Sequence, residues 1–235
     1  MIDSIAKTTQ KMQTQQKDME IIANNLANIN STGYKREEPF TEFLKREEFS
    51  GFKQITDFRE GALITTGNPY DFSLSGTGFF VIQTDEGNEL TRNGKFKLSE
   101  EGYLVNDKGN KVLGQKGPIS LSELLFDPSK SIRVSTNGEI KVGDKILDKI
   151  LIGKIESQEN LLRNNDQSFI YEKGDFGHAK ENEYEISQGY IEESNVNPII
   201  EMMAMIELNR SFESSQKLMQ NFDQHLGRVN EIGKI

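Results

Sequence analysis

The chain has 235 residues, 34% of them hydrophobic and 28% charged, with a formal net charge of −9. That length suffices for one substantial domain or two small ones, but the composition is polar for a single compact globule. The acidic balance, with both signs interspersed, argues against nucleic acid or an anionic membrane as the main partner, because phosphate neutralisation needs clustered Lys and Arg, and the absence of cysteine excludes disulfides, thiolate zinc sites and cysteine nucleophiles.

From Asp3 to Asn28 there is no Gly or Pro, and Gln, Lys and Ala are frequent. Ile5, Met12, Met19 and Leu26 recur by sevens, and Thr8, Gln15, Ile22 and Ile29 follow three residues later. This is a helix with an a/d seam, polar in its middle and apolar at its ends. Asn30-Ser31-Thr32-Gly33 supplies the stop. The stretch 34–71 is rich in Glu, Lys and Phe, including Phe40, Phe43, Leu44, Phe49, Phe52 and Phe58, too many aromatics for a solvated linker. It reads as an extended arm that packs against something. A β-rich segment follows. Phe79-Phe80-Val81-Ile82 has the pattern of a short buried strand, and Asn93-Gly94 and Asn137-Gly138, each between strand-like runs, are hairpin signals. Short strands at this spacing, without βαβ alternation, predict an antiparallel sandwich or partial barrel. Asn197-Pro198 then reads as an N-cap with proline at the first helical position. Met205, Phe212, Met219 and Leu226 recur by sevens, with Leu208, Ser215, Phe222 and Val229 three residues on. One such helix would ordinarily pack on a globular core; matched seams at both ends of the chain favour a helix partner.

A search for chemistry finds no catalytic, cofactor-binding or metal-ligating set. His178 and His225 are the two histidines, and they form no ligand pair. Gly76-Thr77-Gly78 lacks the third glycine of a dinucleotide loop and leads into a strand, so it reads as a turn. Carboxylates are plentiful, yet nothing nominates a glycosidase-type pair. The first sixteen residues lack the features of a cleaved signal peptide. The longest apolar run, Met202–Ile206, is far short of the roughly 20 residues of a membrane span. The expected chain is soluble, without direct membrane insertion.

Several blocks carry a resemblance. Ile22-Ala23-Asn24-Asn25-Leu26-Ala27-Asn28 runs on to Gly33-Tyr34-Lys35. Thr66-Gly67-Asn68-Pro69-Tyr70-Asp71 leads into Gly76-Thr77-Gly78-Phe79-Phe80, and Thr91-Arg92-Asn93-Gly94-Lys95-Phe96 precedes Gly102-Tyr103-Leu104. Gly189-Tyr190-Ile191-Glu192-Glu193 reaches Ser194-Asn195-Val196-Asn197. In this order the blocks resemble the flagellar basal-body rod and hook proteins along nearly the whole chain. The resemblance implies export through the flagellar type III apparatus without a cleaved signal, and polymerisation with copies of itself and other rod or hook proteins into a tube in the basal body. It also implies that the terminal helices form the tube's core. Asn24, Asn25 and Asn28 either fix register through interhelical amide bonds or prepare the helix end.

The expected fold is α+β: long N- and C-terminal helices paired as a coiled coil, around a central antiparallel β domain. The expected segments are 1–33 and 192–235 for the assembly helices, 34–71 for the arm and 72–191 for the β domain. The expected function is structural, without enzymatic activity: a rod subunit, of proximal type, because the short chain argues against the hook protein and the short stretch between Lys35 and Thr66 against a distal-rod protein. A distal-rod or hook-like paralogue, or a secreted β-domain adhesin, remains the alternative. The expected seam is Ile5, Met12, Met19, Ile22, Leu26, Met205, Leu208, Phe212, Met219, Phe222, Leu226 and Val229. The motif residues are Asn24, Asn25, Leu26, Ala27, Asn28, Gly33, Tyr34, Lys35, Ser194, Asn195, Val196 and Asn197.

Overall fold

A computed structural model describes residues 2–39, 55–126, 131–155, 160–164, 167–171 and 176–232. It is α+β, with a helix at each end of the chain and antiparallel sheet between. The chain divides into two compact units, one of residues 1–29, 36–58 and 196–235, the other of residues 30–35 and 59–195.

The first unit holds the N-terminal helix, Ile2–Ala27, and the C-terminal helix, Pro198–Ile232. At 1.5 Å per residue these are about 39 and 52 Å long. Their contacts run antiparallel, Gln15 meeting Ser211 and Asn25 meeting Glu201. A short ribbon pairs Glu37 with Thr56 and Glu38 with Ile55. Of the aromatics assigned to the arm, Phe40, Phe43, Phe49 and Phe52, with Leu44, lie outside the described residues.

The second unit is built on a ten-stranded sheet. Its centre is Phe79–Thr84, paired antiparallel with Gly87–Thr91 on one side and Lys111–Gly114 on the other. The expected buried strand is there, with Phe79, Phe80, Val81 and Ile82 all at 3% exposure or less. Apolar residues of the other strands and of the connections between them close one core over Phe80: Phe72, Phe96, Leu104, Ile119, Leu121, Ile140, Ile150 and Ile186 are buried together. Phe80 and Phe96 meet edge to face with centroids 5.4 Å apart, the arrangement that aromatic quadrupoles favour.

The two Asn-Gly signals part company here. Ile132–Val134 and Glu139–Val142 form the expected hairpin across Asn137-Gly138. Asn93-Gly94 forms none: Gly87–Thr91 pairs with Phe79–Thr84 and Ser168–Tyr171, while Lys97–Leu98 pairs with Leu104–Val105. Among the described residues no residue other than glycine has positive φ, so Asn93 does not adopt the conformation a type I′ turn needs. Its carboxamide instead accepts from the Lys95 N–H at 2.9 Å, an Asx turn. Gly94 is there for proximity: a Cβ would lie 1.7 Å from the Phe72 carbonyl oxygen.

Candidate assembly interface

Asn197 caps the C-terminal helix, its Oδ1 accepting from the N–H groups of Ile199 at 3.0 Å and Ile200 at 3.3 Å. These are the second and third helical positions, where an N-cap side chain belongs, and Pro198 before them has no N–H to satisfy. Ile22 of the expected seam is buried, and Ile5, Met12, Met19 and Leu26 are half-buried. On the other helix Met205, Leu208, Phe212, Met219 and Phe222 are half-buried. The backbones of Leu226 and Val229 continue that helix, but their side chains fall outside those described. The polar middle of the seam is matched. Gln15, buried, donates from Nε2 to Ser211 Oγ at 2.7 Å and accepts from Ser215 Oγ at 3.3 Å.

A second polar cluster lies where the N-terminal helix ends. The Asn25 carboxamide brackets the Glu37 backbone as a strand would, donating to its carbonyl at 2.8 Å and accepting from its N–H at 2.9 Å. Nδ2 also reaches Glu201 Oε2 at 3.2 Å. The other Glu201 oxygen takes a charge-assisted bond from Arg36 Nε at 2.5 Å. Asn25 and Glu201 have no solvent exposure. The three motif asparagines therefore do different work. Asn25 ties the two helices and the 37–38 strand together, Asn28 Nδ2 closes the helix end on the Asn24 carbonyl, and the Asn24 side chain faces solvent. Leu26 and Asn28 are half-buried, Ala27 is exposed and Val196 is buried.

The remaining motif residues lie in the β unit. Gly33 has φ +66°, and a Cβ there would sit 2.4 Å from the Asn93 backbone nitrogen, so both conformation and crowding select glycine. Tyr34 is buried with the Arg163 guanidinium 4.7 Å from its ring centroid, and Arg163 donates to the Lys35 carbonyl. Asn195 donates from its backbone to the Tyr34 carbonyl and from Nδ2 to the Arg59 carbonyl; Ser194 beside it is half-buried. Lys35 is a buried cation, with Nζ bonded to Glu192 Oε1 at 2.6 Å and to the Arg59 carbonyl at 2.8 Å. Glu192 Oε1 also accepts from the Gly61 N–H at 2.8 Å, and Oε2 faces Arg92 Nη1 at 4.0 Å. Burial pushes the Lys35 ammonium below its usual 10.5, against the pull of Glu192.

Arg36, Glu37, Arg92, Glu192 and Glu201 were not among the expected site residues. Glu201 carried a signal: it is the one charge between Pro198 and Ile206, and a carboxylate alone in an apolar helical run needs a partner when buried. Among the described residues no group of His, Asp and Glu is placed to hold a metal ion, and no helix is long and apolar enough to cross a membrane.

Comparison with known proteins meets this architecture at its three motif-bearing parts. Family models match residues 12–35 (flagella basal body rod protein), 73–142 (flagellar hook protein FlgE/F/G D1 domain) and 187–232 (flagellar basal body rod FlgEFG protein C-terminal). The flagellar basal-body rod protein FlgF of Caulobacter vibrioides is 32% identical over 96% of this chain and 96% of its own length. The chain belongs to the flagellar basal-body rod protein family. Other rod proteins of that family span it equally well. FlgF of Mesorhizobium japonicum is 29% identical over 94% of the chain and 93% of its own length, and FlgG of Buchnera aphidicola subsp. Baizongia pistaciae 29% over 96% and 97%. The rod-family match at 12–35 runs from the seam through the asparagine motif to Lys35, and the C-terminal match opens just before Glu192 and covers Glu201.

Proposed function

We propose that this chain is a structural subunit of the bacterial flagellar basal-body rod, of the proximal-rod type, and not an enzyme. In this reading residues 1–33 and 192–235 are the assembly core, paired as a coiled coil. Residues 34–71 form an arm and 72–191 a central β domain. The subunit leaves the cell through the flagellar type III export apparatus without a cleaved signal and polymerises with copies of itself and with other rod and hook proteins. The observation that carries the reading is the pairing of helices from opposite ends of the chain in a rod-family protein, around a seam centred on Gln15, Ser211 and Ser215. Such a seam is marginal in isolation and gains stability from further packing. The FlgF relatives of Caulobacter and Mesorhizobium, each matching along more than nine-tenths of the chain, favour the proximal type. The FlgG similarity along nearly the whole chain keeps a distal-rod role as the second reading.

Electron microscopy of basal bodies from a strain lacking this chain, beside a swimming assay, is the test. Rods that stop short and lack hooks are expected, and the stopping point separates proximal from distal. Complete hooks and filaments would overturn the rod assignment. Phe212→Asp, which places a charge in the seam, is expected to abolish rods while leaving the β-unit unfolding transition in place. Normal rods from that variant would refute the seam.

A further inference from the structure

The C-terminal helix has two apolar faces, and its pairing with the N-terminal helix uses one. Glu201, Leu208 and Ser215 lie on the shielded side. On the opposite side, over the first turns, Ile199 is 64% exposed, Met203 58% and Ile206 53%, with Ile200 and Met202 beside them. Together they present on the order of 500 Å² of apolar surface, the size at which an exposed patch marks an interaction site, yet short of the roughly 800 Å² per partner of a stable binary complex. Farther along, the same outward stripe turns charged, with Arg210, Glu213 and Lys217 exposed.

The outward stripe of the N-terminal helix complements it. Ala27, Ala23, Glu20, Lys17 and Gln13 are exposed at spacings of three and four, on one side of that helix. Laid antiparallel, Met203 and Ile206 fall on Ala27 and Ala23, large side chains against small ones. In the same register Arg210 falls on Glu20 and Glu213 on Lys17, each cation opposite a carboxylate. Within its own helix Glu20 takes a long 3.4 Å bond from Gln16, so a guanidinium is the stronger partner.

Resting on the rod reading, we propose that this outward stripe of the C-terminal helix docks on the N-terminal helix of a second copy of the chain, in the register Met203–Ala27, Ile206–Ala23, Arg210–Glu20 and Glu213–Lys17. The contact is heterologous, each copy offering a different face, so it repeats from copy to copy instead of closing on a pair. Its register is displaced from that of the intrachain pairs Gln15–Ser211 and Asn25–Glu201 by three to four residues, roughly 4.5–6 Å along the axis at 1.5 Å per residue. Successive copies therefore climb into an open helix. A patch too small to hold a pair keeps free subunits apart until several neighbours act together.

The test uses the natural absence of cysteine. Full-length chain carrying both Ala27→Cys and Met203→Cys is assembled into basal bodies, oxidised and run on a non-reducing gel. A ladder of covalent oligomers is expected, absent from either single variant. Monomer alone, from basal bodies that retain complete rods, would overturn this contact while leaving the rod assignment standing. The charge pair gives a second arm that tolerates failure of the cysteine variant to assemble. Glu20→Arg and Arg210→Glu, both at exposed sites, should each lower the number of complete rods at least tenfold, and their combination should restore it. Unaffected single variants, or a double variant no better than the singles, would sink the proposed register.

Discussion

The two units differ in the balance of what they bury. The β unit gathers Phe72, Phe80, Leu104, Ile119, Ile140 and Ile186 into one apolar core, as a self-sufficient domain does. The helical unit seals in Gln15, Asp18, Asn25, Glu37, Glu201 and Ser215, and leaves Ile199, Ile200, Met202, Met203 and Ile206 in solvent. Hydrogen bonds contribute little net stability but cost much when broken one side at a time, whereas apolar burial drives folding outright. The contrast therefore separates a region built for stability from one built for geometry, whose apolar surface is held for use elsewhere.

The largest expected effect comes from the buried charge cluster of the β unit. Glu192→Ala strands the Lys35 ammonium beside the Arg92 guanidinium in a buried site, and should cost about 3–5 kcal/mol of stability in denaturant unfolding. Replacing Lys35 by Met together with Glu192 by Leu should recover most of it, since a packed apolar pair avoids the desolvation. The pH dependence of Lys35 has a definite sign. With its folded pKa below 10.5, the unfolded chain binds the proton more tightly in the window beneath 10.5, so this group's contribution improves as pH rises through that window. In the helical unit, Asn25→Ala leaves the Glu37 N–H and carbonyl without the bracket described above. A loss of about 1–3 kcal/mol is expected, read as faster hydrogen exchange at the Glu37 amide with the β-unit transition unmoved. If the two units lose stability together, they are not the separate cooperative entities the comparison makes them.

How much of this was legible in the sequence follows the range of the interactions. The end helices, the Asn197 cap and the buried strand at Phe79–Ile82 rest on neighbours within a few turns, and periodicity reports those directly. The ion pairs Lys35–Glu192 and Arg36–Glu201 join residues 157 and 165 positions apart, and no local pattern names such partners. Asn93-Gly94 misled because a dipeptide that tolerates positive φ was read as requiring it. Its glycine answers to the Phe72 carbonyl, a contact across the sheet. The outward apolar stripe was hidden by its overlap with the seam in one run, Met202–Ile206, in which both faces contribute.

Two smaller effects sharpen the same contrast. Asn197→Ala should cost about 1 kcal/mol, with Asn197→Asp or Asn197→Ser restoring it, because it removes the acceptor for two N–H groups of the first turn. Measured by helical circular dichroism, it should fray the C-terminal helix from its apolar end and leave the sheet signal unchanged. Smallest is an acid effect in the β unit. The Lys154 ammonium and the Lys180 N–H hold the half-buried Glu183 carboxyl below its ordinary 4.5. Its stabilisation is present above that pH and is lost as pH falls through the lowered value. A slightly steeper acid limb than in Glu183→Gln, flattened by added salt, is the expected titration of melting temperature.

The Gln15 bracket has a mechanical side. Apolar surfaces slide over one another at little cost, because one methylene contact replaces the next. Gln15 grips Ser211 and Ser215, one turn apart, by both ends of one amide, so a slip of a single residue, about 1.5 Å along the axis, strains both bonds at once. A slip of a full heptad leaves the amide against apolar side chains, Ala204 and Leu208 in one direction and Leu218 and Phe222 in the other. Under a shearing load, the polar middle of an otherwise greasy seam works as a shear pin: it adds little to the strength of the joint at rest and sets the force at which the two ends of the chain begin to creep.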